Sequence, residues 1–239
     1  MGLNLTRKYS INFSTSKRSK KSIKFIIIHY TGMKNQSKAL EKLCHLNSKV
    51  SAHYFIKNDG KLLNLVPDLY EAWHAGRSSW KNSKSLNRNS IGIEINNPGH
   101  DYGYINFREK QLFTLKKLLK VLIKKYKIKK FNILGHSDIS PDRKKDPGEK
   151  FPWKKLAKNS LSIWHDLDEN KIIKLRNQKI NFEDQMKFIK NLEKIGYSIR
   201  IKKKIFIIKA FQRRFRQSLI NGKIDKECLL ISKSLLKSS

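Results

Sequence analysis

An α/β fold followed by a small all-α domain is the expectation for this 239-residue chain, and three observations carry it. Apolar, β-branched runs near 23–31, 90–95 and 131–134 alternate with helical patterns. Residues 107–126 repeat apolar side chains at helical spacing. Beyond about residue 180 no strand pattern recurs, and three short amphipathic segments fill the remainder.

The elements follow in order. Residues 1–22 are rich in Ser and Lys and read as a loose N-terminal arm. Ile23 to Thr31 is a continuous apolar run closed by Gly32, as expected of a central strand buried on both faces. Ser37 to Leu46 has the spacing of a helix, with Ser37 as its N-cap. Val50–Ile56 and Lys61–Val66 flank Asn58-Asp59-Gly60 and read as a β-hairpin, stopped by Pro67. Residues 70–90 form a long loop carrying Trp73, His74 and Trp80, and loops of that length with aromatic residues are more often functional than not. Ser90 to Ile95 alternates, so Glu94 faces away from Ile91, Ile93 and Ile95. Phe107–Tyr126 is a strongly amphipathic helix with lysines on its outer face. Phe131–Leu134 is a short strand running into Gly135-His136. A helix then opens at Pro152-Trp153 and ends near His165. The domain division is a larger unit at 23–167, a polar connection at 168–180, and a helical domain at 181–239, close to the lower size limit for independent folding.

Lys and Arg number 53 against 19 Asp and Glu, a formal charge of +34. The lysines are spread through every segment, including helix interiors, rather than gathered in one patch. No nucleic-acid motif or aromatic platform accompanies them, so no specific nucleic-acid partner is expected. Cys44 and Cys228 lack metal-type spacing and dictate no disulfide framework. No apolar N-terminal core, no lipid-accepting cysteine near it and no run long enough to span a bilayer is present. A cytoplasmic, monomeric protein is therefore expected, with an envelope location if the start lies elsewhere.

The chemistry gathers at strand ends. A histidine that closes an apolar strand is usually a satisfied core residue, and that reading applies singly to His29 and His136. Together they end two strands in the same sense, and Asp146 returns on the loop after His136. Two imidazoles and one carboxylate can hold zinc and leave a fourth tetrahedral position open, as catalytic zinc requires. Glu94, a carboxylate within an isoleucine-rich strand, is costly unless paired or useful and is the natural general base. Lys144, two residues before Asp146, can point into the same site as a cation, or lie solvated among its basic neighbours.

Five motifs then occur in sequence: Ile28-His-Tyr-Thr31, Val50-Ser-Ala-His-Tyr54, Ala72-Trp-His-Ala-Gly76, Ser90-Ile-Gly-Ile-Glu94, and Gly135 to Gly148 with its His-Ser-Asp-Ile-Ser-Pro-Asp-Arg-Lys-Lys-Asp-Pro core. Over roughly residues 22–165 the chain resembles the type-2 N-acetylmuramoyl-L-alanine amidases, the zinc amidases related to peptidoglycan recognition proteins. The resemblance implies a mixed β-sheet flanked by helices, with Zn²⁺ on His29, His136 and Asp146. It makes Glu94 the base and gives Lys144 an oxyanion-stabilising role. His53, Trp73, His74 and Asn96 match positions lining the substrate groove. The implied reaction cleaves the amide between the lactyl group of N-acetylmuramic acid, ordinary or anhydro, and L-alanine, in peptidoglycan or soluble muropeptides. A non-catalytic peptidoglycan-recognition module is the alternative. Leu192-x-x-x-Gly196-Tyr197, Ala210 to Phe215 and Gly222-x-x-Asp225 resemble a small peptidoglycan-binding helical domain, which a purely bracing domain would also satisfy.

Overall fold

The computed structural model describes residues 5–237. Its N-terminal segment is not loose. Strands β1 (Leu5–Arg7) and β2 (Phe13–Ser14) lie there, although every residue of β1 is exposed. Polar bonds hold the segment: Ser10 donates through Oγ to the Leu43 carbonyl at 2.6 Å, and Asn12 Nδ2 donates to the carbonyls of His45 and Val50. Arg18 donates to the carbonyls of Asp68 and Asn87. Such anchoring is invisible to hydropathy, which registers the same residues only as hydrophilic.

The apolar run becomes β3 (Phe25–Tyr30), with Ile26, Ile27 and Ile28 fully buried. Helix α1 (Gln36–Cys44) starts two residues earlier than Ser37 suggested, because the extended Asn35 caps it by accepting from the Lys38 amide. The hairpin forms as β4 (Tyr54–Ile56) and β5 (Leu62–Asn64), paired antiparallel around Gly60 at φ +85°. The long loop carries two small ribbon pairs. Strand β6 (Glu71–Ala72) pairs with β2, and β7 (Ser79–Trp80) with β8 (Ser83–Lys84). Then come β9 (Ser90–Ile95), α2 (Glu109–Tyr126), β10 (Ile133–Gly135) and a one-turn α3 (His136–Ile139).

Helix α4 (Trp153–Lys158) stops well short of His165. Ser160 turns left-handed at φ +57°, after which Leu161 and Ile163 are buried from non-helical chain. The stretch read as a polar connection contains α5 (Glu169–Ile173), whose Ile172 is buried. Helices α6 (Phe182–Ile195), α7 (Lys204–Phe215) and α8 (Lys226–Lys237) complete the described chain.

Six strands form the main sheet in the order β1-β5-β4-β9-β3-β10. The neighbours β4, β9, β3 and β10 run parallel, whereas β4 and β5 are antiparallel, so the sheet is mixed as expected. Because successive side chains alternate faces, Ile26, Ile28, Ile91 and Ile93 meet α2 through Leu115, Leu118, Leu119 and Leu122. The opposite face, with Phe25, Ile27 and Leu134, shares one apolar cluster with Phe188, Leu192 and Phe211 of α6 and α7. The four parallel strands leave their carboxyl ends on one edge, where ligands of such sheets commonly bind.

Candidate active site and metal centre

Parallel pairing sets His29 directly beside Glu94 in register, so both side chains project from the same face at that edge. Gly135 ends the adjacent strand and delivers His136 as the first residue of α3. The following loop returns Asp146, tied back by a 2.8 Å bond from the Ser137 amide to the Asp146 carbonyl. His29 Nδ1, His136 Nδ1 and Asp146 Oδ2 then form a triangle with edges of 2.9, 3.0 and 3.1 Å. All three residues are buried, and they constitute the group able to hold a metal ion among the described residues.

The outer hydrogen bonds determine which nitrogens face that point. His136 Nε2–H donates to the Ala75 carbonyl at 3.1 Å, leaving its Nδ1 lone pair free. The Ser90 hydroxyl is committed to the Leu86 carbonyl, so its oxygen accepts from His74 Nε2–H at 3.1 Å. His74 Nδ1 must then accept from His29 Nε2–H, 3.0 Å away. That relay fixes His29 with Nδ1 unprotonated toward the triangle. Metal-bound histidines are characteristically oriented by such a bond through their other nitrogen. The relay needs space over the sheet, and Gly92 provides it: a Cβ there would collide with the His74 ring.

Burial and the neighbouring His136 push His29 down to about 4, which keeps it a neutral donor. Burial pushes Asp146 up, but His136 and His29 outweigh it and hold the carboxyl well below its usual range. Glu94 responds in the opposite direction. Burial, reinforced by Asp146 and opposed by Lys144, pushes it up to about 8. Its Oε2 is buried without a hydrogen-bond partner. A carboxylate in this state gains from a proton or from a bound water that supplies one.

These groups border a cavity of about 470 Å³ whose wall includes Tyr30, His74, Glu94, Arg143 and Lys144. Of the residues expected in a substrate groove, His74 lines it and also orients His29. His53 stands behind His74, fully buried, accepting from the Gly92 amide and facing the Tyr70 carbonyl. Trp73 Nε1–H donates to Ser14 Oγ, and Asn96 donates to Asn58 Oδ1, so neither reaches the cavity wall. Gly92, Ser90 and the Ala75 carbonyl were missed by sequence reasoning. A glycine inside a strand pattern was the available signal for the first.

A family model described as N-acetylmuramoyl-L-alanine amidase matches residues 19–149, more than half of the chain. The chain belongs to the N-acetylmuramoyl-L-alanine amidase family. The amidase AmiD of Escherichia coli K12 is 34% identical over 242 residues, covering 90% of this chain and 83% of that one. The 1,6-anhydro-N-acetylmuramyl-L-alanine amidase AmpD of Haemophilus influenzae is 40% identical over 45% of this chain and 56% of its own length. The solved complex of E. coli AmiD with the substrate anhydro-N-acetylmuramic acid-L-Ala-D-gamma-Glu-L-Lys superposes with a TM-score of 0.80. That match has 31% identity and covers 94% of this chain and 92% of that one. AmpDh3 of Pseudomonas aeruginosa gives a TM-score of 0.80 at 28% identity, covering 94% and 95% of the two chains. At 94% coverage the AmiD match takes in most of residues 182–237, the part of this amidase that packs against α3. There Asp138, between the two ends of α3, accepts from the Gly135 amide, from Tyr197 Oη–H at 2.7 Å and from Arg214. Among the described residues no helix is long and apolar enough to cross a membrane.

Proposed function

We propose that this amidase is zinc-dependent and hydrolyses the amide joining the lactyl carbonyl of N-acetylmuramic acid, its 1,6-anhydro form included, to L-alanine. The observation that carries the reading is the buried, hydrogen-bond-free oxygen of Glu94 beside the His29–His136–Asp146 triangle. Donors 2.0–2.1 Å from a tetrahedral zinc stand about 3.3 Å apart. The observed edges of 2.9–3.1 Å need open only slightly to admit the ion. Two neutral imidazoles and one carboxylate are also the donor set of catalytic zinc.

Zinc in that triangle would supply Lewis acidity and lower the pKa of a bound water. Glu94, whose Oε2 is buried without a hydrogen-bond partner, would take a proton from the water that adds to the lactyl carbonyl. Lys144, on the cavity wall, presents an ammonium to the oxygen on which negative charge develops. Glu94 then returns its proton to the departing alanine nitrogen. The C–N bond breaks, and a free lactyl carboxylate and a free peptide amine result. His74 takes no part in these transfers and holds His29 in its ligand tautomer.

AmiD and AmpDh3 have been solved with anhydromuramyl peptides, which supports the same substrate class here. Resemblance of 181–239 to a peptidoglycan-binding domain adds the polymer as a second substrate form. A non-catalytic recognition module would have no use for Glu94 at this position. The test is mass-spectrometric product analysis with zinc-loaded protein and anhydro-N-acetylmuramyl-L-Ala-D-γ-Glu-L-Lys. Release of the tripeptide is expected, and an unchanged substrate after prolonged incubation would overturn the reading.

A further inference from the structure

A second cavity, of about 390 Å³, adjoins the first and shares Arg143, Lys144 and Lys145 with it. Its far wall comes from α7, through Phe206, Lys209 and Arg213. Its charge is unbalanced. Asp142 is engaged by Arg77 at 2.7 Å and Glu149 by His100 at 3.0 Å. Among the described residues the side chains of Lys145 and Lys209 have neither ion pair nor hydrogen bond, and both residues line this space.

Arg213 is the unusual member. Its residue is only 8% exposed, yet its Nε is a buried donor without a hydrogen-bond partner. The nearest carboxylate, Glu149, stands 3.8 Å away, beyond hydrogen-bond reach, and already serves His100. Burial pushes Arg213 down, and the surrounding acids do not restore it. A guanidinium is a planar fork that matches a carboxylate bidentately, and a buried one left without such a partner is costly. Arg214, the next residue, also leaves its Nε without a partner, but its two Nη atoms are engaged, by Asp138 and by the Ile133 carbonyl at 2.9 Å.

We propose that the Arg213–Lys209–Lys145 cavity is a carboxylate subsite that takes a carboxylate of the stem peptide beyond the first alanine. The inference rests on the proposed substrate class. A peptide of the L-Ala-D-γ-Glu-L-Lys type carries the α-carboxylate of its γ-linked glutamate and its own C-terminal carboxylate. The two cavities share Arg143, Lys144 and Lys145, so a peptide leaving the metal edge past Lys144 and Lys145 passes into this one. Substrate discrimination would then be divided between the sheet edge, which performs the chemistry, and α7, which reads the charge of the peptide.

Calorimetric titration of the full chain with L-Ala-D-γ-Glu-L-Lys and with the same peptide amidated at both carboxyls tests this without requiring turnover. The free acid should bind at least about tenfold more tightly, the range of a charge-assisted hydrogen-bond pair. Arg213→Gln and, separately, the half-buried Lys209→Gln should each erode that preference while leaving the amidated peptide's affinity unchanged. Peptides amidated at only one position show which carboxylate is read, by which one loses the preference. Equal binding of acid and amide by the unsubstituted protein, or a preference retained in both variants, would overturn the subsite. Failure of hydrolysis with the acid preference intact would instead sink the amidase reading and leave the subsite standing.

Discussion

Glu94 and His74 are buried side chains with opposite duties, and substitutions separate them. Glu94→Gln keeps the shape and removes the proton acceptor. Turnover should fall by ~10²–10⁴-fold, while zinc content, read by atomic emission, stays near one per chain. A variant that cleaved at the native rate would refute Glu94 as base. His74→Phe does the reverse, keeping Glu94 but releasing His29 Nε2, and should weaken zinc binding by ~10–100-fold in a chelator competition. Unchanged zinc affinity would show that the relay to Ser90 is not needed. The three residues proposed as ligands were legible as a group in the sequence because each closes an apolar strand or follows one at short range. The relay was not, because 45 residues separate His29 from His74 and nothing in hydropathy pairs them. Gly92 was visible only as a glycine in a strand; that it makes room for an imidazole needed the fold.

At the scale of elements, the parallel strands, the hairpin and α2 follow from their apolar patterns, because each buries at least one whole face. The N-terminal strands and α5 escaped, being two to five residues long; the strands are held by backbone and polar contacts, and α5 buries a single isoleucine, Ile172. One polar anchor makes a testable case. Asp68 lies between the hairpin and α2, accepting from Tyr54 Oη–H at 2.7 Å, Tyr126 Oη–H at 2.6 Å and Lys125 at 2.8 Å. Burial pushes its carboxyl up, but the bonds from Lys125, Tyr126 and Tyr54 prevail and hold it below 3.8. A depressed acid stabilises the fold fully above its unfolded value, and that stabilisation is lost as pH falls through the folded one. Asp68→Ala should therefore cost about 2–4 kcal/mol at neutral pH by stranding buried hydroxyls. The difference between the two proteins in urea titrations should shrink below pH 3.8. A difference independent of pH would assign the effect to packing alone.

For the whole molecule, the two faces of the sheet are covered by different parts of the chain. The α2 face is closed by the segment that resembles the amidases, and the Phe25–Ile27–Leu134 face by α6–α8. A change of composition near residue 168 is readable, yet the apolar stripes of the later helices do not reveal that their partner is the sheet. Arg214, 2% exposed, crosses that contact to Asp138 and stacks on Trp153 with its guanidinium carbon 4.4 Å from the ring centroid. Arg214→Met leaves Asp138 buried and short of its cation, which should destabilise the protein by about 3–5 kcal/mol. Calorimetry of the unsubstituted protein should give a single unfolding transition for sheet and helices together. Two separate transitions would show that the helices fold independently of the sheet.

The Asp138 clamp also bears on when, during its own synthesis, the hydrolase comes alive. His29, Glu94, His136 and Asp146 are all translated before the residues that steady α3. Tyr197 lies 59 positions and Arg214 76 positions downstream of Asp138. Ribosomes add about 5–20 residues per second, so these supports reach α3 several seconds after the last of the proposed ligands has been made. Chains stalled on the ribosome short of Arg214 should carry every catalytic side chain and yet be slow to retain zinc. A cell making this protein would thus meet a bond-cleaving enzyme only once the helices that follow the sheet had been made.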